Sequence, residues 1–263
     1  MSVEVFYVAL GYKDDALNYS VESVRRNSPS SPVRIIGDEE CRRHLPGELF
    51  EYFVPVEPYF ERAAKFARVW AHRSPNPVDF ELKCMQRWFV AHQYGRRHKV
   101  EGFWMLDWDV LVFTDLGQED IGVGMTCPLF TSYFRNLKWL DCWLQVIEEA
   151  FRCRNRLFRR WEGKYLSAEW AAVSDMYLAS DLCHGLHILF QPEAGTCWDD
   201  NLHQSNGFEL ENLSGQWGDQ MKKLQWIKGQ PWAKHLASGQ LVRFKSLHCW
   251  GPHRGRMAGF LAK

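Results

Sequence analysis

Residues 103–113 read FWMLDWDVLVF, an apolar run with two carboxylates, Asp107 and Asp109, set into it. The aromatic and branched residues on either side predict a strand over 103–106 and a second strand piece over 110–113. Side chains alternate along a strand, so Asp107 and Asp109 are expected to share one face with Trp108 opposite. Two like charges that close raise each other's pKa and cost free energy unless something positive lies between them. A divalent cation answers that need, because Mg²⁺ or Mn²⁺ takes oxygen ligands and commonly binds one or two carboxylates together with phosphate groups. The pair also follows the end of an apolar strand, where ligands bind in open α/β sheets. The alternative is a polar strand end, with each aspartate solvated or capping a turn.

The rest of the chain supplies a setting for such a strand. Val3 to Leu10 reads as a strand ending at Gly11, Ala16 to Asn27 has helical spacing through Leu17, Val21 and Val24, and Val33 to Ile36 reads as a second strand stopped by Gly37-Asp38. A strand–helix–strand opening predicts a parallel sheet with right-handed crossovers. Helices are predicted over 60–70 and 80–94, separated by the breaker-rich SPNP, and over 137–151 and 168–182. Residues 187–190 suggest a short strand, and 195–218, rich in Gly, Asn, Asp and Ser, reads as loop. The segments 221–228 and 240–248 alternate and read as strands paired around the GQP turn. There is no internal repeat and no low-complexity linker, so a single domain is expected over 1–263.

Composition narrows the chemistry. A chain of 263 residues with 46% hydrophobic content is long enough for a sizeable core. The formal net charge of zero gives no reason to expect a nucleic-acid partner. The 13 Trp suit pockets for sugar rings, whose apolar faces stack on indole, although packing is the commoner explanation of any single one. The opening MSVEVFYVAL lacks a basic leader, and no run approaches the roughly 18 apolar residues of a membrane span, so a cytoplasmic protein is expected. The eight Cys contain no CxxC pair and are expected to be reduced thiols. Cys183, His184 and His187 hint at a metal, without a fourth ligand nearby.

The stretch WMLDWDVLVF resembles the strand–DxD–strand element of nucleotide-sugar glycosyltransferases of the GT-A fold, in which the two carboxylates hold Mn²⁺ or Mg²⁺ against the donor diphosphate. A second element, KSLHCWGPHRGRM, carries His248, Gly251 and Arg254 and is similar to the H-x-x-G-x-x-K pattern of glycosyltransferase family 8. The resemblance implies a Rossmann-like α/β domain with a mixed, mostly parallel central sheet flanked by helices. Residues 1–115 would form its nucleotide-binding half, and 116–263 its acceptor half with the C-terminal metal and diphosphate loop. It implies Asp107, Asp109 and His248 as metal ligands, Gly251 as the point of backbone approach to the phosphates, and Arg254 in place of the family's lysine. Arg254 keeps that role chemically because a guanidinium clamps phosphate through two bonds; His253 or Arg256 would assist. By the same resemblance, Ala9 or Leu10 would read the base edge, Tyr12 would stack on uracil, and Asp14 or Asp15 would stand in for an acidic residue missing from the end of the first strand. Lys83 or Arg87 would reach the donor.

For the chemistry itself, Asp175 lies in the region that touches the donor sugar in the family, although the family's Asp-Gln dipeptide is absent. Asp200, beside Asp199 in the loop CWDDN, is the other carboxylate candidate. The activity implied is transfer of a hexose from a UDP-sugar to a glycan or glycolipid, as in polysaccharide biosynthesis, with retention. The alternatives are a sugar-nucleotide nucleotidyltransferase, against which the sequence lacks a Gly-rich phosphate loop after the first strand, and a catalytically silent carbohydrate- or nucleotide-binding module. Phe151 to Lys164 holds six basic residues and one acid between aromatics, and suits either peripheral contact with an anionic membrane or a solvated helix end.

Overall fold

The computed structural model describes residues 3–119, 121, 126–127, 129–165, 172–182, 187–188, 194–213 and 220–263. Its first layer follows from alternation along two strands that are buried on both faces. Strand β1 (Glu4–Ala9) gives Val5, Tyr7 and Ala9 to one core and Phe6 to another. Strand β4 (Phe103–Leu106) gives Trp104 and Leu106 to the first core and Phe103 and Met105 to the second. Helix α1 (Ala16–Asn27) covers the first face with Leu17, Val21 and Val24, and α4 (Val78–His98) covers the other with Met85, Trp88, Phe89 and Tyr94. Burial on both faces is why these strands read as unbroken apolar runs.

With β2 (Val33–Gly37), β3 (Phe53–Pro55) and β7 (Thr131–Phe134), the sheet has the order β3-β2-β1-β4-β7. The first four strands are parallel and β7 is antiparallel to β4, which is the mixed, mostly parallel sheet expected. The two outer strands escape the sequence reading: β3 has three residues, and β7 opens on Thr131 and Ser132, polar but fully buried. Helices α2 (Glu39–His44), α3 (Glu61–Ala67), α5 (Leu137–Arg152), α6 (Arg154–Tyr165), α7 (Asp175–Leu182) and α8 (Met257–Leu261) complete the helical part. Among the described residues no helix is long and apolar enough to cross a membrane.

The second piece of the opening stretch leaves the first sheet. Strand β5 (Val110–Val112) joins β12 (Gln225–Ile227), β13 (Gln230–Lys234) and β14 (Leu241–His248) in the order β12-β13-β14-β5, and β9 (Thr196–Trp198) runs parallel to β14. Two further pairs are β6 (Thr126–Cys127) with β8 (His187–Ile188), and β10 (Leu210–Asn212) with β11 (Gln220–Lys222).

Here the C-terminal expectations need correction. The segment read as loop over 195–218 contains β9 and β10, each three residues long, too short for alternation to register. The segment 221–228 is not one strand paired with 240–248: its first part, β11, pairs with β10, and its second, β12, pairs with β13. The turn is Lys228-Gly229, not GQP. Ile227 pairs with Gln230 across it, and both turn residues have positive φ, 51° and 74°, as a two-residue hairpin of this hand requires. The helix expected from 168 begins at Asp175, with 166–171 outside the described residues, as are Cys183 and His184 of the suggested metal cluster. Cys41, Cys84, Cys142, Cys153, Cys197 and Cys249 are free thiols.

Candidate metal centre

Parallel pairing of β1 with β4 sets their carboxyl ends side by side, and the chain leaves β4 through Asp107-Trp108-Asp109. These residues form a turn, not a continued strand: Val110 N–H donates to the Asp107 carbonyl at 3.2 Å, while Asp107 N–H donates to the Phe130 carbonyl at 2.8 Å. The aspartates converge because the turn brings them together. The expected strand alternation is corrected accordingly, and Trp108 is not isolated on an opposite face. The Arg254 guanidinium lies 3.8 Å from the Trp108 ring centre, and Tyr12 meets that ring edge-on at 5.1 Å.

His248 arrives from 139 positions further along the chain because β14 pairs antiparallel with β5, setting His248 opposite Val110. The next residue, Cys249, donates its N–H to the Asp109 carbonyl at 2.8 Å. One ligand atom each from Asp107, Asp109 and His248 falls within 4.8 Å of the others, the only such group among the described residues. Two carboxylates and an imidazole form a donor set that suits a hard to borderline divalent cation.

Cations of the protein itself flank both carboxylates. Arg87, from α4, contacts Asp107 through Nη1 and donates through Nη2 to Asp175 Oδ2 at 2.9 Å. Trp88 Nε1 donates to the same Asp175 oxygen at 2.9 Å. On the other side, Arg254 Nε donates to Asp109 Oδ2 at 3.0 Å, and His248 Nε2 stands 3.4 Å from Asp109 Oδ1. These neighbours set the protonation balance. Burial raises the Asp107 carboxyl above the usual carboxylate value, with Arg87 opposing it. Burial acts the same way on Asp109, but His248 and Arg254 outweigh it and hold that carboxyl low. Burial pushes the His248 imidazole down, and Asp109 outweighs it, so the net shift is upward.

Two further contacts orient His248. Its Nδ1 lies 3.0 Å from the Asp200 carbonyl oxygen, which only accepts, so Nδ1 carries the proton. Its ring stacks on Phe130 at 4.0 Å between centres. Asp200 therefore meets the site through its backbone carbonyl. Its carboxylate accepts from Asn206 Nδ2 at 3.0 Å, and burial followed by the charge of Asp199 raises its pKa.

The other predicted residues lie around this centre. Ala9 ends β1 opposite Gly37. Tyr12 is 6% exposed and its hydroxyl accepts from Leu17 N–H at 2.6 Å in the first turn of α1, so its ring is committed to packing. Arg254 also faces Asp14, Nη1 to Oδ2 at 3.7 Å. Gly251 opens the 3₁₀ turn Gly251–Arg256 at φ 64° with no atom within 4 Å of where a Cβ would stand. His253 in that turn is fully buried. The Lys83 ammonium lies over Gly11, whose φ is 66°. Asp38 was not anticipated: it accepts from Gly11 N–H and caps α2 through Cys41 N–H at 2.9 Å. Leu10, Asp38, Val56, Phe60, Lys83 and Gln86 line a cavity of about 350 Å³ at this edge of the sheet. Also missed was Lys222, which forms with Asp199 of the CWDDN loop a fully buried ion pair behind His248, Nζ to Oδ1 at 2.8 Å. No local pattern in MKKLQW distinguishes a buried lysine from a solvated one.

No protein-family model matches the chain, and no curated protein matches it. Solved structures do. The galactosyltransferase LgtC in complex with donor and acceptor sugar analogs is 14% identical, with 99% of this chain and 95% of that chain covered at a TM-score of 0.46. The PaToxG glycosyltransferase is 12% identical over 70% of each chain, TM-score 0.43. Mouse xyloside xylosyltransferase 1 is 9% identical over 72% of this chain and 84% of that one, TM-score 0.44. The solved structures this chain is similar to here are glycosyltransferases.

Proposed function

We propose that this chain is a metal-dependent glycosyltransferase of the GT-A type, transferring a hexose from a UDP-sugar to a glycan or glycolipid with retention. The observation that carries the reading is the convergence of Asp107, Asp109 and His248 within 4.8 Å, with Arg254 bound to Asp109. These three side chains would hold Mn²⁺ or Mg²⁺, which when bound offsets the charge of a departing diphosphate. Residues 1–115 would bind the nucleotide, with the base end at Ala9, Leu10 and the neighbouring cavity, and 116–263 would bind the acceptor.

The chain's own groups have separate tasks. Arg254, stacked on Trp108, presents a fixed guanidinium to the diphosphate, and Gly251 leaves open backbone beside it. Arg87 holds Asp175 against Asp107 where the donor sugar would lie, and the buried Asp175 carboxylate would act there by fixing the Arg87 guanidinium. The Asp200 carbonyl orients His248. Helix α6 buries Leu157 and half-buries Phe158 and Trp161 against the core while Arg154, Arg156 and Arg159 stay exposed, so its outer face would suit an anionic membrane carrying a lipid-linked acceptor.

Hydrolysis of a panel of UDP-sugars, with and without Mn²⁺, tests the core of this reading. One UDP-sugar should be cleaved in a metal-dependent reaction that EDTA stops and Asp109→Asn abolishes. Failure of every UDP-sugar, together with no metal-dependent stabilisation by UDP in thermal unfolding, would overturn it.

A further inference from the structure

Behind His248 lies a charged pair that the proposed reaction does not use. Lys222, on β11, and Asp199, just after β9, are both fully buried, Nζ to Oδ1 at 2.8 Å. A second bond from Lys222 Nζ reaches the Asn201 carbonyl. The other Asp199 oxygen, Oδ2, accepts the backbone N–H of His248 at 3.0 Å. Around them the backbone is laced together: Lys222 N–H donates to the Leu202 carbonyl at 2.9 Å, and Leu202 N–H to the His248 carbonyl at 3.1 Å. His248 thus has its N–H, its C=O and its Nδ1 all held by residues 199–202.

A buried ion pair is poor value as a source of stability, since well-packed apolar residues of similar volume do as well or better. What Asp199 supplies that an apolar residue cannot is an acceptor aimed at the His248 N–H, in a place where water does not compete. Lys222 is the counter-charge of that carboxylate, Nζ to Oδ1, in a place without solvent. Its second bond fixes the loop whose Asp200 carbonyl takes the Nδ1 proton. With Nδ1 protonated, the Nε2 lone pair is the one directed toward Asp109, as a ligating imidazole requires.

We infer that Asp199 and Lys222 are positioning residues for the third metal ligand, a latch that fixes both the place and the tautomer of His248. The inference rests on the metal-centre reading above. Partners that orient a ligating histidine are typically worth 10–100-fold in metal affinity.

Two charge-free double variants separate positioning from simple support. Asp199→Asn with Lys222→Met keeps an acceptor for the His248 N–H; Asp199→Leu with Lys222→Met removes it. Mn²⁺ affinity is read by isothermal titration of the folded proteins, checked by circular dichroism. The expected result is a small loss in the first, from the freed Asn201 carbonyl, and a further loss of roughly 10–100-fold in the second. Equal affinities in both would overturn the latch. His248→Ala is the control for the reading beneath it: if that variant binds Mn²⁺ like wild type, the metal centre itself fails, whatever the latch variants do. Should the Leu variant not fold, the ¹⁵N spectrum of the histidines in the unsubstituted, metal-free protein at alkaline pH decides. A proton on Nδ1 of His248 supports the latch, and a proton on Nε2 overturns it.

Discussion

Asp107 and Asp109 are two residues apart, yet they are held by different parts of the molecule. Asp107 ends the first sheet and is met by Arg87 from α4, which also holds Asp175. Asp109 opens the second sheet and is met by His248 and Arg254 from the C-terminal segment. On one side Asp175 is almost without solvent contact and the Arg87 side chain is 13% exposed, while Asp107 at the rim is 22% exposed. The other ends in an arginine 28% exposed, lying across an indole. The contrast teaches that the Arg87–Asp175 contact is a rigid wall, and that Asp107 on one side and Arg254 on the other are the groups open to a ligand.

The largest effect should come from breaking the rigid side. Arg87→Ala leaves the buried Asp175 and the partly exposed Asp107 side by side without a cation, and removing one partner of a buried ion pair costs about 3–5 kcal/mol. Urea unfolding followed by tryptophan fluorescence measures this. Adding Asp175→Asn should recover part of the loss, because the two sites share a partner and are not additive. A loss below about 1 kcal/mol would mean that solvent reaches the triad and the wall is soft.

On the ligand side, stability should change little and binding much. Asp109→Asn removes a charged ligand but leaves Arg254 an amide oxygen to bond. Mn²⁺ affinity should drop by about 100-fold or more, at least the upper range seen when a merely supporting residue is lost. Calorimetric titration with UDP present reads it, and retention of wild-type affinity would detach Asp109 from the metal. Arg254→Lys keeps the charge but gives up the planar fork and much of the contact with Trp108. UDP should then bind roughly tenfold more weakly, about 1.4 kcal/mol. Unchanged binding would show that the guanidinium serves Asp109 and Trp108 alone.

The same contrast explains how far the sequence alone could be read. Central strands of a sheet covered on both sides announce themselves as apolar runs, so β1, β2 and β4 stand out, as do α1 and α4 through helical spacing. The closing strands do not: β9, β10, β11 and β12 have three residues each, too short for alternation to register, and β9 is held by β14, further along the chain. Site residues follow the same divide. Asp107, Asp109 and His248 were visible because their surroundings form motifs. The Arg87–Asp175 contact spans 88 positions and the Asp199–Lys222 pair 23, and nothing local in either partner marks it as buried. The sequence setting of Asp200 points to its carboxylate, and its carbonyl also touches His248, a contact that side-chain chemistry cannot reveal.

Two glycines give the smallest and sharpest comparison. Gly11 lies at φ 66° on the wall side and Gly251 at φ 64° on the ligand side, both in the left-handed region that costs an L-residue roughly 1–2 kcal/mol. A methyl at Gly11 would also collide with the Lys83 ammonium, whereas at Gly251 it meets nothing within 4 Å. Gly251→Ala should therefore cost only the backbone strain, about 1–2 kcal/mol, and leave Mn²⁺ affinity as it was, because no metal ligand moves. UDP affinity is the discriminating measurement. If the open backbone at Gly251 is where the diphosphate approaches, the added methyl occupies that approach and UDP binding falls even though Arg254 is intact. If UDP binds Gly251→Ala as it binds wild type, the glycine is kept for its turn alone, and the diphosphate contact rests on Arg254.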